Sequence, residues 1–131
     1  MTIAYWCVLI AGLMPVLTVV FAKWGKRDFD NAEPRAWLEK QSGMRRRADY
    51  AHRNHFEAFP FFAASVIIAQ QVHATQSTLN ILALGFIAAR VIYTVLYLTN
   101  RPTWRSAVWT IAYLCVVGLF VLAAISHGSA A

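Results

Sequence analysis

The sequence predicts an all-α integral membrane protein, a four-transmembrane-helix bundle, and two observations carry that expectation. Hydrophobic residues make up 59% of the 131 residues and charged residues only 14%, a balance too apolar for a soluble domain of this size. The charges are also segregated. None falls within residues 2–22, 58–89 or 106–131, and each interval is long enough for the roughly 20 residues that an α-helix needs to cross the hydrocarbon. The middle interval is interrupted by a polar cluster from Gln70 to Thr78, which reads as a short turn between two spans. The helices are expected at residues 3–22, 45–72, 79–99 and 106–125, with a loop at 23–44, in a single membrane domain covering 1–131.

Helix 1 contains Gly12 and Pro15, and a proline in a membrane helix kinks it while neighbours satisfy the released carbonyl. No Lys or Arg precedes its apolar core, so it is not read as a cleaved signal peptide. Lys23 closes it, with its stem along apolar surface and its ammonium reaching either water or an anion. The following loop carries mixed charge, an NAEPR turn signal and Ser42-Gly43. Cys7 and Cys115 fall inside spans with no metal or redox spacing and read as small apolar groups.

The second helix begins in a charged segment and continues into an apolar one. Arg46, Asp49 or Tyr50, Arg53 and Glu57 recur at spacings of three and four and are expected to form a ridge facing the bundle interior. Glu57 is costly in lipid unless paired, and Arg53 stands one turn behind it. His52 and His55 are spaced by three near Glu57, but no further clustered ligand accompanies them, so no metal is assigned. They read as hydrogen-bonding residues at the interface. Helix 3 carries Arg90, which should face inward and pair with Glu57, the acidic residue at comparable depth. Arg90, Tyr93, Thr94 and Tyr97 then share one helical face. The turn Thr99 to Trp104 is stopped by Pro102, and Arg105 and Ser106 open the fourth helix. They form an anion site with the free N–H groups of the helix start, or Arg105 anchors the interface beside Trp104 and Trp109.

The net charge of +6 does not indicate nucleic acid, because the basic residues flank apolar spans. All but Arg90 lie between Lys23 and Arg53 or at Arg101 and Arg105, and none lies in the two tails or the Gln70–Thr78 turn. The positive-inside rule places both basic loops in the cytoplasm and both termini outside. The last five residues, from His127, are expected to be mobile. Lys23, Arg53, Arg90 and Arg105 outnumber the single intramembrane acid Glu57, which points to an anionic ligand with more than one carboxylate, entering from the cytoplasm, and an apolar partner arriving through lipid.

The segment RRRADYAHRNHFEAFP resembles the signature of the MAPEG family (membrane-associated proteins in eicosanoid and glutathione metabolism), whose second helix carries an R-N-x-x-E pattern. Arg53, Asn54 and Glu57 stand in those positions. The stretch ARVIYTVLYL from Ala89, followed by Trp104-Arg-Ser, is similar to the family's third helix and the start of its fourth. The resemblance, to a bacterial-type member similar to microsomal glutathione transferase, implies a homotrimer with glutathione bound between adjacent subunits near the cytoplasmic side. It implies that Arg53, Asn54, Glu57, Arg90, Tyr93, Thr94 and Tyr97 hold glutathione, and that Lys23 replaces an arginine of relatives. It also puts Arg105 nearest the thiol, with Ser106 beside it. A cation there favours thiolate over thiol, whose ordinary pKa is about 8.5. The implied function is a membrane-bound glutathione-dependent transferase or peroxidase acting on lipophilic electrophiles.

Tyr93 stands where the prostaglandin-synthase branch has a histidine and Tyr50 where it has another arginine, so that branch's substrate is not inherited. One alternative is a small proton-coupled multidrug transporter, although its carboxylate lies in the first helix, where this chain has none. Another is a non-catalytic structural or lipid-binding membrane protein in which Glu57 and Arg90 only fix helix packing.

Overall fold

The computed structural model describes residues 1–128, with side chains to Ser126, so the tail expected to be mobile falls largely outside the described residues. The described residues form five helices: α1 (Ile3–Lys23), α2 (Pro34–Glu39), α3 (Gly43–Gln71), α4 (Gln76–Leu98) and α5 (Pro102–Gly128). By length and composition α1, α4 and α5 can cross a membrane. α3 is not among them, because its first half carries Arg45, Arg46, Arg47, Asp49, Arg53 and Glu57 before the apolar part begins. Large apolar side chains such as Leu13, Leu17, Ile81, Val95, Leu114 and Val121 point outward, a surface suited to hydrocarbon rather than water.

α1 and α3 lie against each other through small groups. The buried face of α1 is Ala4, Cys7, Ala11, Met14, Pro15, Thr18 and Ala22, spaced by three and four, and small side chains let helix backbones approach closely. Gly12 adds to this, since a Cβ there would stand 3.3 Å from the Phe59 ring. α3 answers with Ala48, Ala51, His55, Phe62, Val66 and Ala69. Phe62 stacks on Phe86 of α4 with ring centroids 3.9 Å apart. α4 and α5 interlock where Leu82 fills the space over Gly118 and Cys115 that over Gly85.

This packing corrects the expected α3 ridge. Asp49 is buried, but Tyr50, Arg53 and Glu57 are exposed. The small and apolar stripe gives the closer contact to α1, which leaves Tyr50 and Arg53 outside that contact and Glu57 at the edge of the space between α3, α4 and α5.

Two further boundaries differ from expectation. The NAEPR segment is not only a turn: Pro34 opens α2 at its first turn, where its fixed φ and missing N–H cost nothing. Trp37 and Leu38 then bury themselves against Ala22 and Ala48. α5 likewise opens at Pro102 rather than near 106. The N–H of Arg105 therefore already donates to Arg101 O at 3.0 Å, so the expected anion site at a helix start loses that donor and retains the Arg105 guanidinium.

Three consecutive arginines satisfy the carbonyl ends of three other helices. Arg45 Nη1 donates to Ala22 O and Trp24 O at 2.9 Å each, at the end of α1. Arg46 Nη1 donates to Leu38 O of α2 at 3.2 Å. Arg47 donates through Nε and Nη2 to Leu98 O of α4 at 3.2 and 3.0 Å. A helix end leaves carbonyls without intrahelical partners and carries negative partial charge, so a guanidinium both bonds and neutralises it. At the opposite end Asn80 Oδ1 accepts from Ala4 N at 3.2 Å and from Gln76 Nε2 at 2.9 Å. Gln76 Oε1 in turn accepts from Gln70 Nε2 at 2.8 Å. The two basic loops thus share one end of the bundle, and the chain start shares the other with the α3–α4 turn.

Arg47→Ala is expected to lower stability in detergent micelles by about 1–2 kcal/mol, the loss of a charged hydrogen bond. Arg101→Ala, at an exposed position, is expected to leave the thermal midpoint unchanged. Equal midpoints for the two variants would remove the capping role of Arg47.

Candidate functional site between α3, α4 and α5

Arg90 on α4 is 1% exposed, so its donors must be met inside the protein. Its Nε and Nη2 approach His55 Nδ1 at 3.2 and 2.8 Å, and its Nη1 donates to Asn54 Oδ1 at 3.0 Å. A guanidinium only donates, so His55 Nδ1 accepts and the imidazole is neutral with its hydrogen on Nε2. That N–H donates to Thr94 Oγ1 at 2.8 Å, and the Thr94 hydroxyl donates to Arg90 O at 3.0 Å. On the other side, Asn54 Nδ2 donates to Glu57 Oε2 at 3.0 Å.

A second chain of contacts leads from Arg90 toward the basic end. Its guanidinium lies 4.4 Å from the Tyr93 ring centroid, Tyr93 meets Tyr97 edge-on at 5.5 Å, and the Arg105 guanidinium lies 4.3 Å from the Tyr97 centroid. Stacking on a ring face holds an arginine without a carboxylate. Both cations are thereby placed by aromatic rings one turn apart on α4.

These residues line two adjoining parts of one cleft. The polar part, about 180 Å³, is walled by Asn54, Tyr93, Tyr97, Arg105, Ser106 and Trp109. The apolar part, about 150 Å³, has Glu57, Asn54 and Arg90 on one side and Phe61, Phe86 and Tyr113 among its other walls. Asn54 and Trp109 belong to both. Such a cleft can seat a molecule with an anionic part near Arg105 and present it to an apolar one.

Of the residues expected to form a site, the chain brings together Asn54, Glu57, Arg90, Tyr93, Tyr97, Arg105 and Ser106. Thr94 lies behind them, with its hydroxyl committed to His55 and Arg90. Lys23 is not with them; its ammonium sits 4.5 Å over the Phe29 ring. Arg53 is also elsewhere, in a cleft of about 480 Å³ between α2 and α3 that includes Arg35, Glu39, Asp49 and His52.

The two expected ion pairs of Glu57 are not formed among the described residues. Arg53 Nη2 instead lies 3.0 Å from Asp49 Oδ2, an ion pair without hydrogen-bond alignment, and 3.8 Å from Glu39 Oε1. Helical side chains lean toward the N-terminus, so the long Arg53 side chain reaches back to the acid one turn earlier. Arg90 is hydrogen-bonded to Glu57 through the Asn54 amide rather than paired with it directly, because His55 and Asn54 supply the nearer acceptors.

His55 and Trp109 were not assigned to the site from the sequence. His55 had a usable signal: it falls on the same face as Ala48, Ala51 and Phe62, the face that the packing buries. His52 is used differently, its Nδ1–H donating to Pro15 O at 2.7 Å. Among the described residues no three His, Cys, Asp or Glu side chains converge on a metal position.

Arg90→Lys is expected to cost about 2–3 kcal/mol in micelle unfolding experiments, since an ammonium cannot span His55 and Asn54 and leaves a buried acceptor unpaired. A variant as stable as wild type would show that the guanidinium geometry is not needed.

A sequence model of the MAPEG family matches residues 3–125. Comparison with curated proteins and with solved structures gave no match. The family match runs from the first residue of α1 into the last turns of α5 and covers every residue of the cleft. With α1, α4 and α5 long and apolar enough to cross a membrane, the chain is a membrane protein that belongs to the MAPEG family.

Proposed function

We propose that the protein is a membrane-bound glutathione-dependent transferase or peroxidase acting on lipophilic electrophiles. Membership of the MAPEG family is consistent with such a role. The observation that carries the reading is the cleft in which Arg105 and Ser106 face Tyr93, Tyr97 and Asn54 while an apolar chamber adjoins them. Glutathione is an anionic peptide thiol: Arg105 would favour its thiolate, with Ser106 beside it, and Glu57 and Asn54 would meet its polar groups. In a transferase step the thiolate sulfur forms a bond to the electrophilic carbon, and the leaving group departs with the displaced electron pair. In a peroxidase step the sulfur takes the distal oxygen of a hydroperoxide, the O–O bond breaks, and the alkoxide is protonated to an alcohol. A second glutathione then converts the sulfenic acid to the disulfide and water.

The same reading makes α3 the fourth span of a single membrane domain. It runs beside α1 from the His52–Pro15 contact to the Thr2–Gln70 contact, so it occupies the same depth. The exposed stripe Tyr50, Arg53 and Glu57 is unsuited to lipid, and a homotrimer in which neighbouring copies cover it would remove the cost. The partner copies would bring Arg53 and Lys23 to the glutathione that their own chain does not bring them to. The basic end of the bundle, with both basic loops, would face the cytoplasm and the two termini the outside. The tie of Glu57 to Asn54 favours ligand orientation over the proton carriage that a transporter would require.

Mixing the detergent-purified protein with millimolar glutathione is expected to give the ultraviolet band of a bound thiolate at neutral pH. Arg105→Ala is expected to lose at least about tenfold of that signal, the scale of one charged hydrogen bond. A wild type that binds no glutathione, or an Arg105→Ala protein indistinguishable from it, would sink the proposal. Glu57→Gln is expected to weaken glutathione binding or trimer stability by about 1–2 kcal/mol. If ligand titration and size measurements in micelles both match wild type, Glu57 has no such role.

A further inference from the structure

Glutathione binding as proposed above assigns no role to His55, which lines neither part of the cleft. The ring is 3% exposed and sits behind Arg90, facing a narrow gap beside Ala11, Met14 and Phe59. It therefore cannot touch a ligand in the cleft. Its contacts nevertheless lead there, through Arg90 and then Asn54.

We infer that His55 is a positioning residue of the cleft: its neutral imidazole aims the Arg90 guanidinium, and Arg90 fixes which way the Asn54 amide faces. The argument rests on donors and acceptors. Arg90 Nε and Nη2 both converge on His55 Nδ1, which fixes the plane of the guanidinium and leaves Nη1 directed at Asn54. An amide presents an oxygen on one side and an NH2 on the other. With Nη1 donating, the Asn54 side toward Arg90 must be Oδ1, so Nδ2 is held toward Glu57 Oε2. The opposite orientation would set two donors against each other and leave Glu57 facing an amide oxygen.

The imidazole can do this only as the Nε2–H tautomer, and Thr94 selects that tautomer. Its hydroxyl hydrogen is spent on Arg90 O, so Oγ1 has only acceptor capacity left for His55. Thr94, His55, Arg90, Asn54 and Glu57 thus form one directed chain that starts in the α4 backbone and ends at a carboxylate on the cleft wall. Each member leaves the next a single allowed orientation. A leucine at 55 would keep the packing and break the chain at its second link. A glutamine would restore an acceptor within reach of Arg90.

The inference rests on the proposed glutathione site, and its test separates the two. Nitrogen NMR on histidine-labelled protein without glutathione is expected to show a neutral His55 ring bearing its hydrogen on Nε2. A charged ring or an Nδ1–H tautomer overturns the inference whatever glutathione does. Calorimetric titration with glutathione is then expected to give a dissociation constant raised about tenfold in His55→Leu, and within about threefold of wild type in His55→Gln. Thr94→Val, which keeps the ring but frees its tautomer, is expected to weaken binding about threefold, and it serves if His55→Leu does not assemble. Unchanged affinity in His55→Leu, or in Thr94→Val with the tautomer also unchanged, overturns the inference. So does a His55→Gln protein that folds but binds no better than His55→Leu. Failure of the wild type to bind glutathione instead removes the proposed function, and the NMR result alone then decides the His55 contact.

Discussion

A guanidinium buried among membrane helices has to find acceptors there, and the need to satisfy Arg90 organises the centre of this protein. No carboxylate meets it directly among the described residues. A neutral imidazole and an amide oxygen take its hydrogen bonds, and the Tyr93 ring covers its face. Neutral acceptors satisfy its donors without taking a carboxylate out of water as well. They also leave Glu57 exposed on the cleft wall with one oxygen bonded to Asn54, where a salt bridge to Arg90 would have occupied it.

The helix ends follow the same logic at lower cost. Arg45, Arg46 and Arg47 are adjacent in sequence, and the 100° turn between successive helical residues sends their side chains in three directions. Each finds the carbonyl end of a different helix, α1, α2 or α4. One basic run therefore gathers the basic end of the bundle into a fixed arrangement, and it sets the end of α4 where Tyr97 meets Arg105. The far end uses neutral amides, Gln70, Gln76 and Asn80, to the same effect. The contrast matches the charge asymmetry that the positive-inside rule reads as orientation.

Arg105 depends on a ring rather than on a helix start. Because Pro102 opens α5 early, the backbone N–H at Arg105 is already bonded, and the helix contributes little to an anion placed beside it. A cation held on the Tyr97 face keeps its N–H groups available to a ligand. The apolar chamber shares the walls Asn54 and Trp109 with the polar part, so a polar group and an apolar group can be held side by side there.

The all-α character, the apolar spans of α1, α4 and α5, and the face shared by Arg90, Tyr93 and Tyr97 were legible in the sequence, because hydropathy and the 3.6-residue period are local properties. The R-N-x-x-E motif also pointed to Asn54 and Glu57. Charge pairing was not legible. Glu57 looked like the partner of Arg53 and Arg90 from composition and depth, yet Arg53 turned back to Asp49 and Arg90 took His55 and Asn54. Which groups meet depends on side-chain lean and on the face that α1 claims on α3, and both are set by three-dimensional packing. The sequence determined which residues lie in apolar helices and which cations accompany them; the tertiary structure alone decided their partners, since hydrogen bonds reach about 3 Å and only the packed helices bring those donors and acceptors within that distance.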